Sequence, residues 1–214
     1  MATRPPADPA NVPAADETAR PLRADARRNR DRLIEAAAAA FAEHGVDTSL
    51  EEIARRSGVG IGTLYRHFPT REHLVEVVYR REVEGLCAAA AELLRSHPSD
   101  VALELWMLRF VDYIATKRGL AKSLRILLTA NAGLFADTSG MVMQAVQRLV
   151  EAGVADGAIR PDIESTDLIH ALSGIYSTPE TPEWRERSRR LVGLLMAGLR
   201  WGAQQAPAGA GRPR

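Results

Sequence analysis

Between Ser49 and Leu74 the chain reads SLEEIARRSGVGIGTLYRHFPTREHL, where side chains able to hold a polyanion recur at helical spacing. Gly60, Ile61, Gly62 and Thr63 carry little bulk at the start of a short helix, so the positive helix end and its unpaired amides can approach a phosphate closely. Tyr65, Arg66, His67 and Arg71 then set hydrogen-bond donors along one edge. Ser49 and Glu52 form an S-x-x-E capping box that opens a first short helix. Gly58 permits a turn, and the second short helix ends before Pro69, which has no N–H to continue it. Ile53 and Leu64 supply apolar contacts between the two helices, and Ala54 is small where they approach. Such a pair reads as a helix-turn-helix, whose second helix fits the DNA major groove. A solvated helical corner accounts for the Arg residues alone but not for the whole pattern.

The string Gly62-Thr63-Leu64-Tyr65-Arg66-His67-Phe68, followed by Arg71, Glu72 and Leu74, gives residues about 26–85 a close resemblance to the DNA-binding domain of the tetracycline-repressor (TetR) family of bacterial regulators. Carried over by position, the resemblance implies that Thr48 and Ser49 touch phosphate and that Ile61, Gly62 and Thr63 face base edges. Tyr65 and His67 would hold the DNA backbone, Arg66 would reach a phosphate or a base, and Arg71 stands where the family commonly has Lys. Gly60 departs from a frequent capping Ser, a change costing only a few tenths of a kcal/mol. Ile61 can pack on a thymine methyl but cannot select guanine, so part of the specificity falls to Arg66, to other residues or to DNA shape.

Around this corner the chain is punctuated into helices. Residues 1–23 and 204–214 are Pro, Ala and charge without periodicity and read as disordered tails. A first helix runs from about Ala24 to His44 with Leu33, Ala37, Ala40 and Phe41 on one face. Thr70 caps a long helix to about Ser96. Ser99-Asp100 opens a helix to about Thr116, apolar on most sides. A helical stretch 120–130 precedes a break at Asn131–Ser139, another helix ends at Gly153–Gly157, one spans about Ser165–Ser177, and the last starts at Thr181-Pro182 and ends near Gln204. The expected fold is therefore all-α with about nine helices: a three-helix DNA-binding unit at 24–85, its helix-turn-helix at about 49–68, and a larger effector-binding and dimerisation unit at 86–203.

Charge follows this division. The formal net charge of +1 averages −2 over residues 1–19, +3 over 20–81 (twelve Arg against nine acids) and zero over 82–214. The basic excess sits in the unit expected to meet DNA. Beyond residue 90 the resemblance is one of arrangement only, and the residues speak for themselves. The segment LVGLLMAGLRWGA, residues 191–203, is apolar or small nearly all round, more than one monomer needs to cover. Ala171, Gly174, Leu191, Leu194, Leu195, Gly198 and Leu199 are the expected interface of a homodimer joined through the last two helices, burial within one monomer being the alternative. Trp106, Met107, Phe110, Tyr113, Leu127, Phe135, Met143, His170 and Tyr176 are held, as a set, as lining for a small-molecule effector pocket; each alone reads as plain core.

Catalysis finds no support: no G-x-S-x-G, H-E-x-x-H or phosphate-binding G-x-x-x-x-G-K-[ST] is present. The single Cys87 excludes a disulfide framework, and the five histidines have no metal-ligand spacing, so neither metal nor cofactor is expected. No secretory address or membrane-length apolar run appears, which points to a soluble cytoplasmic protein. The expected function is a sequence-specific DNA-binding transcription regulator on palindromic double-stranded DNA, a repressor released by an effector; repression is implied by the resemblance alone. A DNA-binding architectural or partner-recruiting factor without effector, and a helical enzyme or interaction module, stay open as alternatives.

Overall fold

The computed structural model describes residues 19–45, 48–130, 132–177 and 181–205; within those spans a few side chains, including Phe135 and Tyr176, are outside the described residues. Among the described residues there are nine helices and no strand: α1 Ala19–His44, α2 Leu50–Ser57, α3 Ile61–His67, α4 Arg71–Ser96, α5 Ser99–Gly119, α6 Ala121–Ala130, α7 Ala132–Ala155, α8 Ser165–Ser177 and α9 Trp184–Gln205.

The first three helices close around Leu33, Ala37, Phe41, Ile53 and Leu64, all fully buried, with Phe68 and Leu74 sealing the side facing α4. α4 then runs unbroken for 26 residues, about 39 Å, from this small core into the larger one. α5 is the axis of the larger unit and packs against α1, α4, α6, α7, α8 and α9. Its Trp106 is fully buried and donates its indole N–H to the Leu86 carbonyl of α4 at 2.9 Å. α9 lies along α5 through Val192, Met196 and Leu199, and Arg200 fastens it by donating to Asp100 (2.8 Å) and Glu104 (2.7 Å).

Three boundaries differ from expectation. α1 begins at Ala19, so the N-terminal tail loses residues 19–23 to helix. Pro21 falls in the first turn, where a missing N–H breaks no helical bond. The expected break at 131–139 is helical from Ala132, because buried Thr138 is tied to the Tyr79 hydroxyl of α4 at 3.1 Å; packing there outweighs the low propensity of Gly133 and Gly140. α9 starts at Trp184 rather than at Pro182. The Thr181 hydroxyl is buried without a hydrogen-bond partner among the described residues and does not cap, while the buried Trp184 ring lies under the Arg118 guanidinium at 4.4 Å.

α1 meets the end of α5 more closely than any side chain allows. A Cβ on Gly119 would stand 1.9 Å from the Phe41 carbonyl oxygen, so the two backbones touch only because residue 119 is glycine.

Candidate nucleic-acid interface

Local rules fix the corner. Ser49 caps α2, its Oγ accepting the Glu52 N–H at 3.1 Å. The return half of the expected box is not made. Glu52 instead accepts from Arg55 (2.8 and 2.7 Å) and Arg56 (2.8 Å), since two guanidinium donors outcompete one amide. Their hydrogen bonds hold the Glu52 carboxyl down to about 2. Arg56 also reaches Glu43 at 2.7 Å and His44 at 3.0 Å, lashing α2 to the end of α1. Gly58 adopts φ 67°, and the Gly58 and Val59 amides donate to the Arg55 and Ala54 carbonyls, a Schellman turn that aims α3 away from α2.

α3 buries Leu64 and turns the other side outward. Ile61 is 38% and Tyr65 46% exposed, and Gly62 and Arg66 are exposed beside them. A Cβ on Gly62 would meet nothing within 4 Å, so nothing obstructs a close approach there. Thr63 and His67 are half-buried at the margin; the His67 ring rests 6.2 Å from Phe68, itself under the Arg30 guanidinium at 5.6 Å. Arg71 opens α4, half-buried, just past the Thr70 cap, whose Oγ1 accepts the His73 N–H at 3.2 Å. Ile61, Gly62, Thr63, Tyr65, Arg66 and His67 thus share one short helix at the surface. Arg55 and Arg56 are neutralised by carboxylates, whereas Arg66 makes no ion pair among the described residues. Ser49 is exposed and keeps its hydroxyl proton for a partner. Thr48 is a correction: it is 8% exposed and its hydroxyl donates inward to the Gly45 carbonyl at 2.9 Å and more weakly to Ala40 at 3.3 Å, so its side chain is structural.

The larger unit holds a cavity of about 240 Å³ between α4, α5, α7 and α8. Phe110, Ile114, Val142, Met143 and Ile169 form its apolar wall; Tyr79, Tyr113, Lys117, Thr138, Ser139 and Ser173 its polar one. Of the residues expected to line a pocket, Phe110, Tyr113 and Met143 do so. Trp106 and Met107 are sealed core, and His170 is exposed on the outer face of α8. Leu127 is half-buried and does not line this cavity, and the Phe135 and Tyr176 side chains are outside the described residues. Sequence reasoning missed the apolar Ile114, Val142 and Ile169 as well as the polar Tyr79, Lys117, Thr138, Ser139 and Ser173. Tyr79 sat on the apolar face of α4 with Val75, Val78 and Val83, the one hydroxyl there, and that was its signal.

At the far end, α9 carries an uncovered apolar stripe. Leu194 is 70% and Trp201 62% exposed, with Gly193, Ala197 and Gly198 beside them and Ala171 and Gly174 exposed on α8. Leu191 and Leu195 are half-buried, and Leu199 is turned into the monomer core, leaving it nothing to offer a partner chain.

Residues 33–78 match the family described as bacterial regulatory proteins, tetR family, and residues 98–201 match the transcriptional regulator SbtR-like C-terminal domain. A TetR transcriptional regulator from Streptomyces coelicolor superposes with a TM-score of 0.74 at 44% identity, over 80% of this chain and 98% of that one. This chain belongs to the TetR family of transcriptional regulators. A second TetR protein, from Mycobacterium vanbaalenii, is 32% identical over 84% of this chain and 99% of its own, with a TM-score of 0.68. An HTH-type transcriptional regulator of Staphylococcus aureus (strain USA300) is 42% identical over 64 residues, 29% of this chain; the match spans about a third of that relative's length. As a TetR-family member the chain is a DNA-binding transcriptional regulator with the all-helical fold of its relatives. No helix among the described residues is long and apolar enough to cross a membrane.

Proposed function

We propose that this TetR-family regulator acts as a homodimeric repressor, reading a palindromic operator with two copies of α3 and leaving it when a small molecule enters the cavity beside α4. The division at about residue 85, with DNA recognition before it and effector binding and dimerisation after it, belongs to this reading. One short helix makes too few base contacts for specific binding, and a two-fold pair supplies twice as many at half-sites one or more helical turns apart. The α8–α9 stripe around Leu194 and Trp201 supports a self-complementary partner, since an apolar face of this kind is costly in water. Ser49, Tyr65, His67 and Arg71 are assigned to phosphate, Ile61, Gly62 and Thr63 to base edges, and Arg66 to either.

The observation that carries effector control is that the cavity shares a wall with α4, the helix continuing directly from the reading unit. Tyr79 stands in that wall, bonded to Thr138 across it. A molecule seated there competes for this bond and shifts α4, changing the separation of the two reading heads; affinity changes only as far as the molecule distinguishes the two states. Val142→Trp, which overfills the cavity from α7, imitates the occupied state. Operator affinity should fall about tenfold or more with dimerisation intact, corresponding to roughly 1.4 kcal/mol of coupling. Unchanged affinity in this variant would disconnect the cavity from α4.

A further inference from the structure

α1 outruns the core it helps to build. Leu33 is its first buried residue, and none of residues 24–32 is buried, so about 21 Å of helix lies ahead of the three-helix core. Counting back from buried Ile34 in steps of four, three, four and three gives positions 30, 27, 23 and 20, all arginine. The face that is apolar within the core therefore continues outward as a basic stripe. Residues 20–32 hold six Arg and two Asp, whereas residues 33–81 hold six Arg and seven acids, so the basic excess of the reading unit sits in this projection. Arg28 is paired with Asp25 on another face, and Asp31 accepts from Arg81 of α4 at 2.5 Å. Arg27 is exposed and has no ion pair or hydrogen bond among the described residues.

Local helix energetics oppose this arrangement. The first turn of α1 contains no acid, its arginines stand at the positive end of the helix, and like charges three and four apart repel. A polyanion laid along the stripe reverses both effects. Position says which polyanion is within reach. Phe41, near the far end of α1, abuts Gly119 of the larger unit, while the Arg30 guanidinium lies 5.6 Å from the ring of Phe68 at the end of α3. α1 thus leads from the larger unit to the end of the reading helix, and the remaining arginines continue from there. We propose that the stripe at positions 20, 23, 27 and 30 is a second DNA-binding element, which holds phosphates of the duplex strand passing the end of α3 and adds sequence-independent affinity to its base reading. Guanidinium groups suit this task because they meet phosphate oxygens in pairs. The inference needs DNA binding, but neither operator symmetry nor effector control.

Phosphate contacts carry no sequence information, so a mixed-sequence duplex of about 40 base pairs serves as the probe, titrated by fluorescence anisotropy between about 50 and 200 mM salt. The test compares the full-length protein with Arg23→Gln/Arg27→Gln, two positions outside the core, after circular dichroism has confirmed the helical content. Affinity should fall at least tenfold at the lowest salt, and the slope of log K against log salt should shrink by about 1.8 for each bound chain, about 0.9 for each phosphate released. Arg23→Lys/Arg27→Lys should retain most of that slope. Arg95→Gln/Arg187→Gln removes the same charge from the exposed surface of the larger unit and should leave the slope as it is. An unchanged slope in Arg23→Gln/Arg27→Gln overturns the proposal, as does an equal loss in Arg95→Gln/Arg187→Gln. Site selection from random DNA scores the α3 reading separately. A slope that depends on the stripe without any selected consensus upholds the stripe and refutes that reading, and a consensus with an unchanged slope does the reverse.

Discussion

Replacing Gly119 by Ala tests the junction between the reading unit and the rest of the molecule. The added Cβ would stand 1.9 Å from the Phe41 carbonyl oxygen and 2.7 Å from its carbon. Carbon–oxygen contacts settle near ~3.3 Å, so α1 and α5 must part by more than about 1 Å. Both opposing atoms are backbone, and neither can swing aside as a side chain does. Overpacking of this kind costs about 1–3 kcal/mol, which at this chain length lowers Tm by roughly 2–12 °C. Gly85→Ala is the matched control: it adds the same methyl in the interior of α4, where nothing lies within 4 Å. Helix propensity there favours Ala by about 0.5–1 kcal/mol. Scanning calorimetry should show the two variants shifting Tm in opposite directions. The separation of α1 from α5 also tilts the α2–α3 corner, so Gly119→Ala should weaken operator binding well below its Tm. A Gly119→Ala protein as stable as the wild type would refute the backbone contact and the mechanical link built on it.

At the interface, Tyr65→Phe removes the hydroxyl that the proposed function assigns to phosphate and should weaken binding to all sequences by about 1–3 kcal/mol per dimer, with base preference unchanged. Thr63→Ala or Arg66→Ala should instead relax preference at particular base pairs in a competition assay; a uniform loss would make those contacts positional. On the α8–α9 stripe, Leu194→Glu places an unpaired charge where a partner must pack and should yield monomers by analytical ultracentrifugation; a dimer of wild-type strength would move the interface elsewhere. Glu52 supplies a pH signature. Its folded pKa of about 2 lies below the 4.5 of an unpaired carboxyl, so its contribution to stability is complete above pH 4.5 and is lost as pH falls towards 2. Glu52→Gln should therefore lower Tm at pH 6 and leave it unchanged at pH 2, and an equal effect at both would show that the Arg55–Glu52–Arg56 cluster does not act through charge.

The reading corner was legible because it is built from local rules. Ser49, Gly58, Thr70 and Pro69 act within a few residues of themselves, and Leu64 is buried or exposed according to helical period alone. Where the sequence misled, a distant contact decided. Thr48 looked like a surface hydroxyl until the turn after α1 folded it onto the Gly45 and Ala40 carbonyls. The stretch 131–139 read as a break, since the Tyr79 that stabilises Thr138 lies 59 residues earlier. The cavity was the least legible part. Its apolar members are indistinguishable by composition from core such as Trp106, and only the packing of α7 and α8 against α5 brings Tyr79, Lys117 and Thr138 to one space. Leu199 and Leu194 lie on one apolar segment, yet only packing against α5 shows that one faces inward and the other outward.

The central claim is that two outward-facing α3 helices read a symmetric DNA sequence. Selection of binding sites by the full-length protein from random-sequence duplex DNA, at near-physiological salt, tests it most directly. The account predicts enrichment of an inverted repeat with half-sites centred one or more helical turns apart, and loss of that consensus when Thr63 and Arg66 are both replaced by Ala. Recovery of no common sequence, or of an asymmetric site unaffected by the α3 substitutions, would contradict it.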